Sequence, residues 1–195
     1  MDIQIRQEQP ADYKKTEQMT RDAFALLELP GREGVDEHYL LHCLRKSNIF
    51  VPQLCLVAAL NNEIIGNIAY STHKIVNENG EEWEVLTFGP LGVLPQYQNK
   101  GIGTMLVEKS LQIAKELEYK GVVIFGHPAY YPRFGFKNAK EYGITTEDGQ
   151  NFDAFMALEL YDGALYGVNG KYILHDIFHI DKEKVAEFDK QFIKN

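Results

Sequence analysis

Residues 93–104 read VLPQYQNKGIGT, a stretch that joins two different kinds of sequence pattern. The end of an apolar strand and Pro95 lead into small and polar residues with Gly101 and Gly103, after which a helical pattern begins. The first N–H groups of a helix have no partner within it, and the helix dipole adds partial positive charge there. Glycine lets an anion approach the backbone without a Cβ in the way. The stretch therefore predicts a cradle for a diphosphate.

The composition predicts one soluble globular domain over residues 1–195, since 45% of the residues are hydrophobic and 25% are charged. A net charge of −8 argues against a nucleic-acid partner. The N-terminus lacks the pattern of a signal peptide, and no apolar run reaches the roughly 20 residues of a membrane span. Cys43 and Cys55 form no CxxC pair, which is typical of reduced thiols. We therefore expect a cytoplasmic protein without a membrane partner.

Periodicity predicts an α/β (α+β) chain with hairpin strands first, then a strand-helix-strand unit, then a final pair of strands. The predicted strands span residues 3–6, 54–60, 63–75, 83–93, 122–125, 155–161 and 171–180, and the predicted helices span residues 9–27, 36–46, 102–120 and 181–195. Gly121 is expected to end the third helix as a C′ glycine. Gly89-Pro90 is expected to interrupt the strand at 83–93, because proline cannot donate to the ladder. The last two strands are expected to pair with each other.

Two nucleotide-binding interpretations fail on residue chemistry. A dinucleotide loop needs G-x-G-x-x-G, but Leu106 stands where the third glycine should be. Gly121 stands about where the ribose-binding acid is required. A P-loop needs Gly-Lys followed by Ser or Thr, which is absent.

A second stretch, residues 126–136, reads GHPAYYPRFGF. Together with Gln98-x-x-Gly101-x-Gly103 after a strand, it resembles the Gcn5-related N-acetyltransferase (GNAT) family. The Pro-Ala-Tyr-Tyr-Pro-Arg-Phe-Gly-Phe segment looks like the subset called predicted acetyltransferases. The resemblance spans roughly residues 80–136. It implies a mixed, mostly antiparallel central sheet with a splayed pair of strands, flanked by helices.

The resemblance also implies acetyl-CoA as the acyl donor. The pyrophosphate of CoA would lie on the backbone of residues 98–104, and the pantetheine arm would pair with residues 91–93, beyond a splay at Gly89-Pro90. Arg133, like Lys100 and Lys137, could meet a CoA phosphate. The implied cofactor-binding residues are Leu91, Gly92, Val93, Gln98, Asn99, Lys100, Gly101, Ile102, Gly103, Thr104 and Arg133.

Tyr131 is the implied general acid, because a phenol near the sulfur can donate a proton to the leaving thiolate. The alternative is a packing aromatic in a crowded segment. Tyr130 is the fallback, because the sequence does not fix the register of a short turn. Glu84 and His127 are candidates for the general base, and ordinary surface or loop roles are the alternatives for both.

The implied reaction is direct attack of a primary amine, from a small molecule or a peptide, on the thioester in a ternary complex. The alternatives are a non-catalytic CoA-binding regulatory module and another acyl donor such as succinyl-CoA. The acceptor site is expected around residues 24–46 and the last strand pair. Glu28, Glu33, Asp36 and Glu37 make that region acidic, which suits a cationic amine and is equally explained by surface solvation. The terminal strands are compatible with a homodimer.

No metal is expected. His38 and His42 have a helical spacing that can hold zinc, and Cys43 lies beside them, but no third ligand is evident. His175 and His179 are expected to alternate onto one strand face, where strand pairing explains them.

Overall fold

The structure, a computed structural model, describes residues 2–25 and 35–192. Its α-helices are α1 Tyr13–Phe24, α2 Glu37–Leu44, α3 Ile102–Glu116 and α4 Lys182–Asp189. Its strands are β1 Gln4–Gln7, β2 Leu56–Leu60, β3 Glu63–Val76, β4 Glu82–Val93, β5 Gly121–Phe125, β6 Lys137–Asn138, β7 Ile144–Thr146, β8 Phe155–Glu159 and β9 Gly170–Ile173. None of the described helices is long and apolar enough to cross a bilayer.

The described residues group into two compact units. The first contains the residues up to Ala69, Gly89–Ser110 and the residues from Asp176 onward. The second contains Tyr70–Phe88 and Leu111–His175. The expectation of a single domain over residues 1–195 stays a prediction.

The first unit contains an antiparallel meander. β1 pairs with β2, and β2 pairs with β3 through a turn at Asn61 and Asn62. Both asparagines have positive φ, 50° and 66°, the conformation that suits a two-residue hairpin turn. The Leu94 N–H donates to the Ile65 oxygen at 3.0 Å, so the chain after β4 stays attached to β3.

Helices cover both faces of the sheet in the first unit. The Thr20 hydroxyl of α1 donates to Asn67 Oδ1 at 3.2 Å. On the neighbouring residue, a Cβ built at Gly66 would lie 3.3 Å from Leu106 of α3. Adjacent strand residues point to opposite faces, so α1 and α3 flank the sheet on opposite sides.

A buried ionic network holds α2 in the first unit. The Arg45 side chain is 4% exposed and donates to Glu8 Oε1 at 2.6 Å and to Glu17 Oε1 at 2.7 Å. α4 is tied to α1 because Arg21 Nε donates to Asp189 Oδ1 at 2.5 Å. The buried charges of Arg45, Glu8 and Glu17 are tolerated because each is hydrogen-bonded to an oppositely charged partner.

The second unit is built around β5. β5 runs parallel to β4, with Leu86 opposite Val122, and antiparallel to β8 from Gly121↔Glu159 to Phe125↔Phe155. β6 pairs with β8, while β9 pairs antiparallel with β3 and parallel with β7. The core of this unit contains Ile75, Val85, Val123, Ala139, Ile144, Phe155, Ala157, Leu165, Val168 and Tyr172. The mixed, mostly antiparallel sheet with flanking helices confirms the predicted fold class.

The prediction for the last two strands is wrong in its pairing and length. β8 pairs with β5 and β6, and β9 pairs with β3 and β7, not with β8. β9 ends at Ile173, and Asp176–Phe178 form a short 3-10 helix, so His175 and His179 do not share a strand face. Tyr172 is 1% exposed in the core, and burial of this side chain accompanies the pairing with β3.

The predicted end of α3 and the predicted break in β4 are also wrong. Glu118, at φ 62°, is the left-handed residue after α3. The Glu118 N–H donates to the Lys115 oxygen, and the Tyr119 N–H donates to the Ala114 oxygen. These are the two bonds of a Schellman motif. Gly121 instead begins β5. β4 continues through Gly89-Pro90, which are joined by a cis peptide bond.

Candidate active site

The loop before α3 turns on two residues with positive φ, Asn99 at 58° and Gly101 at 81°. The Met105 N–H donates to the Gly101 oxygen at 3.0 Å and makes the first helical bond of α3. The N–H groups of Ile102, Gly103 and Thr104 precede that bond, so helix geometry offers them no carbonyl. These N–H groups lie at the start of a fifteen-residue helix, where the dipole favours an anion, and the binding of a diphosphate by them stays a prediction.

Two predicted ligand side chains hold the loop itself. Gln98 Nε2 donates to the Val93 oxygen at 3.0 Å. Lys100 Nζ donates to the Gln96 oxygen at 2.8 Å and lies 5.3 Å from the ring centre of Tyr97. The backbone N–H groups, rather than these side chains, are therefore the groups best placed for an anion.

Close packing in the first unit fixes the end of β4. A Cβ at Gly66 would lie 3.0 Å from the Gly92 oxygen, and a Cβ at Gly92 would lie 3.1 Å from Phe24 Cε2. Both distances are tighter than most real Cβ contacts, so a side chain at either position would push its neighbour back by a few tenths of an ångström. Gly92 is buried, while Leu91 and Val93 are half-buried.

The parallel pairing of β4 and β5 in the second unit is short. Among the described residues, its ladder joins Leu86 to Val122, and Thr87 Oγ1 donates to the Val123 oxygen at 2.8 Å. The Tyr172 hydroxyl lies 2.5 Å from Thr87 Oγ1 and donates to it. Neither polar side chain was predicted from the sequence. The available signal was a threonine within the otherwise apolar residues 85–93.

Tyr131 begins a short 3-10 helix, Tyr131–Phe134, in the second unit. Its ring centre lies 5.6 Å from that of Phe88 and 5.7 Å from that of Phe136. Burial among these rings, with a smaller contribution from Tyr130, raises the pKa of Tyr131 to about 12. The phenol therefore keeps its proton throughout the neutral range, as a proton donor must.

Tyr130 and Arg133 stack on the same turn. The Tyr130 ring is perpendicular to that of Tyr131 at 5.0 Å, and the Arg133 guanidinium lies 4.5 Å from the centre of the Tyr130 ring. Tyr131 is the more enclosed of the two tyrosines by aromatic rings, since it also contacts Phe88 and Phe136.

The two candidate bases have different surroundings in the second unit. The His127 ring is exposed, and its Nδ1 accepts the N–H of Ala129 at 3.2 Å. Glu84 is exposed near the start of β4 and acts on Tyr119, whose pKa is raised by burial and, to a smaller extent, by the Glu84 charge. Both assignments as a base stay predictions.

The acidic residues expected at the acceptor site fall partly outside the described residues, which do not include Glu28 and Glu33. Asp36 occupies the N-cap position of α2, and Glu37 is the first residue of that helix.

The histidines of α2 meet carboxylates in the first unit. His38 Nε2 lies 3.1 Å from Asp189 Oδ1, and His42 Nδ1 lies 2.9 Å from Glu17 Oε1. Burial lowers the pKa of His38. Within residues 2–25 and 35–192, no group of three or more His, Cys, Asp or Glu side chains is arranged to hold a metal ion.

Comparisons with known proteins agree on one family. A family model described as "Acetyltransferase (GNAT) domain" matches residues 52–138. The uncharacterized N-acetyltransferase YhbS of Escherichia coli strain K12 is 32% identical over 176 residues, which are 90% of this chain and 98% of YhbS.

Two solved structures share the fold over nearly the whole chain. The GNAT family N-acetyltransferase YhbS from Escherichia coli, crystallised in complex with CoA, has a TM-score of 0.79 and 30% identity, covering 91% of this chain and 92% of that chain. A GNAT family acetyltransferase from Brucella melitensis, in complex with acetyl-CoA, has a TM-score of 0.70 and 27% identity, covering 90% and 97%. The chain therefore belongs to the GNAT family of N-acetyltransferases.

Proposed function

We propose that this protein transfers the acetyl group of acetyl-CoA to a primary amine of a small molecule or peptide, by direct attack within a ternary complex. The observation that carries the proposal is the loop before α3, in which Gly101 at φ 81° presents the first N–H groups of the helix. The structures of relatives in complex with CoA and with acetyl-CoA support the choice of donor.

In this proposal the backbone binds the donor. The N–H groups of residues 101–104 hold the pyrophosphate, while Gln98 and Lys100 keep the loop in shape through the Val93 and Gln96 carbonyls. Residues 91–93 pair with the pantetheine amides, and a backbone N–H of this segment polarises the thioester carbonyl. Hydrogen bonds aimed at the developing oxyanion lower the barrier to attack.

The chemical step follows from these roles. The neutral amine attacks the thioester carbon, a C–N bond forms, and the C–S bond breaks. The nitrogen loses one proton to a base, and the CoA sulfur takes one proton from the Tyr131 hydroxyl. The products are the N-acetylated amine and CoA, and proton exchange through solvent from the protonated base to the Tyr131 phenolate restores the enzyme. Because the pKa of Tyr131 is raised to about 12, the phenol enters the reaction protonated.

The first test is a panel of polyamines, aminoglycosides, amino acids and peptides, each mixed with acetyl-CoA and followed by mass spectrometry. An acetylated product is expected with at least one amine. Tight CoA binding with no product from any amine would contradict the proposal and support the non-catalytic regulatory module instead.

Tyr131→Phe tests the proton donor. We expect kcat to fall about 100-fold, since general acid catalysis contributes on that order, while the Kd for acetyl-CoA changes less than about two-fold. Release of the CoA thiol measures turnover, and calorimetry measures binding. Tyr130→Phe is the matched control and should change kcat by less than about three-fold. Unchanged turnover in Tyr131→Phe would show that this hydroxyl is not the donor.

The proposal has four further parts. We propose a single domain over residues 1–195, a cytoplasmic location, and membership of the subset marked by residues 128–136. We also propose a homodimer built through the terminal strands. Sedimentation of the purified protein tests the dimer. A monomer at all concentrations would exclude it.

A further inference from the structure

The segment between β5 and Tyr131 is a compact turn in the second unit. The Gly126 N–H donates to the Ala154 oxygen at 2.8 Å, and the Tyr130 N–H donates to the His127 oxygen at 2.9 Å. These bonds fix where the chain leaves β5 and where the 3-10 helix of Tyr131 begins.

Gly126 lies directly against the ring of Tyr131. A Cβ built on Gly126 would lie 2.3 Å from Tyr131 Cε2 and 2.4 Å from Tyr131 Cδ2. Its φ is not in the left-handed region, so close approach, rather than conformational freedom, is the reason for glycine here. Any side chain at this position must move the ring.

His127 supports the same turn with its side chain. Its Nδ1 accepts the backbone N–H of Ala129, two residues further on, at 3.2 Å. In a neutral imidazole one nitrogen accepts and the other carries the proton, so this bond places the proton on Nε2. The neutral ring then has no unused lone pair with which to take a proton from an amine.

We propose that Gly126 and His127 are positioning residues for Tyr131. Gly126 leaves the space that the Tyr131 ring occupies, and His127 stabilises the turn from which the 3-10 helix of Tyr131 begins. This inference rests on the proposed function, because it takes the Tyr131 hydroxyl as the group that meets the CoA sulfur. It assigns His127 a role other than that of general base.

Two substitutions at His127 separate the two roles. In His127→Asn the amide oxygen can accept the same N–H two residues ahead, as in an Asx turn, but it cannot take up a proton. In His127→Ala the acceptor is lost. With acetyl-CoA and the best amine of the panel, we expect His127→Ala to lower kcat about five- to ten-fold with little change in KM for acetyl-CoA. His127→Asn should restore kcat to within about two-fold of the wild-type value. An asparagine variant as slow as the alanine variant would overturn the positioning role and favour the base.

Gly126→Ala tests the close approach. Displacement of the ring should lower kcat by about 10- to 100-fold, because small misplacements of a reacting group are costly. In a Tyr131→Phe background the hydroxyl is gone, so Gly126→Ala and His127→Ala should each lower the remaining rate less than about two-fold. Full additivity of these effects would overturn the inference.

Fluorine NMR of protein labelled with fluorotyrosine gives a readout that does not depend on turnover. The resonance missing in Tyr131→Phe identifies Tyr131, and it should shift in Gly126→Ala and His127→Ala but stay near its wild-type position in His127→Asn. If Tyr131→Phe is fully active while these shifts occur, the acid role is wrong and the positioning stands. If Tyr131→Phe is slow but no variant moves the resonance, the positioning is wrong.

Discussion

At the scale of single residues, glycine serves this protein in two different ways. Gly101 has a φ of 81°, which an L side chain adopts only with strain, and it begins the turn into α3. Gly126 has no such φ, but a Cβ there would overlap Tyr131. The first glycine permits a left-handed turn before α3 and the second makes room for a ring, so substitutions at the two positions should affect different steps.

Gly101→Ala should weaken the binding of acetyl-CoA about ten-fold, because relief of the backbone strain rotates the first N–H groups of α3 away from the pyrophosphate. Calorimetry with acetyl-CoA measures the effect. Gly149→Ala is the matched control, since Gly149 has a φ of 82° and, like Gly101, no atom within 4 Å of a built Cβ. Equal losses of affinity in both variants would mean that the effect comes from general destabilisation.

At the scale of elements, α3 shows how a helix can end without the expected glycine. Glu118 takes the left-handed C′ position at φ 62°, with the Tyr119 N–H on the Ala114 oxygen at 3.1 Å. Gly121, three residues later, is required for packing instead, because a Cβ there would lie 2.8 Å from Leu165 Cδ2. α3 is therefore terminated by Glu118, a non-glycine residue in a left-handed conformation that is unfavourable for it.

Glu118→Gly should raise the free energy of unfolding by about 1 kcal/mol, since glycine adopts the left-handed conformation without the Cβ clash. Thermal unfolding should show a Tm about 2–4 °C higher for a chain of this length. Glu116→Gly, at the last residue of α3, is the control and should lower the stability by about 0.5–1 kcal/mol. A decrease in stability for Glu118→Gly would contradict the assignment of Glu118 as the C′ residue.

For the fold as a whole, a buried histidine makes stability depend on pH. His73 in β3 is 4% exposed, with Nε2 3.0 Å from Ser71 Oγ and Nδ1 3.4 Å from the Ile173 oxygen. Burial lowers the pKa of His73 from 6.5 to about 4. The hydrogen bond to the Ile173 oxygen opposes this shift, and the charge of His175 adds to it. The folded state therefore keeps this ring neutral over a range in which the unfolded chain is protonated.

The free energy of unfolding should consequently fall as the pH drops from 6.5 towards 4. Above pH 6.5 both states are neutral at His73 and its contribution is complete. Below pH 6.5 the unfolded chain binds a proton at His73 that the folded chain does not bind. This difference lowers the free energy of unfolding by about 2–3 kcal/mol at pH 4. Urea unfolding at a series of pH values measures this slope.

His73→Gln removes the titrating ring and should give a shallower slope than the wild-type protein over the same pH range. The lowered pKa of His38 affects stability over the same pH range in the wild-type protein and in His73→Gln, so its effect cancels when the two slopes are compared. Identical slopes would show that His73 is not protonated selectively in the unfolded state.

Much of the fold could be predicted because it is set by neighbouring residues. The Asn61-Asn62 turn has the two positive φ values of a tight hairpin, and Asp181 caps α4 by accepting the N–H groups of Glu183 and Lys184. The loop of residues 98–104 also has its predicted place before a helix. These features depend on turn, cap and glycine chemistry within a few residues, which a local pattern contains.

The pairings of β8 and β9 could not be predicted in the same way. Tyr172 of β9 lies opposite Ile75 of β3, about a hundred positions away in the chain, and its hydroxyl meets Thr87 of β4. Alternating apolar residues identify a strand but carry no information about its partner. The partner is decided by which side chains fill the same core, and that depends on the whole chain.

The amino-acid sequence by itself predicted the four α-helices, most strands and the glycine-containing loop before α3, because each arises from interactions along a short piece of chain, whereas the short strands β6 and β7 were not predicted. Packing of the folded chain was needed to show that Gly126 faces the ring of Tyr131, that the Tyr172 hydroxyl meets Thr87, and that β9 joins β3 and β7. These contacts depend on distances of a few ångströms between folded groups, which packing in three dimensions sets and spacing in the sequence does not.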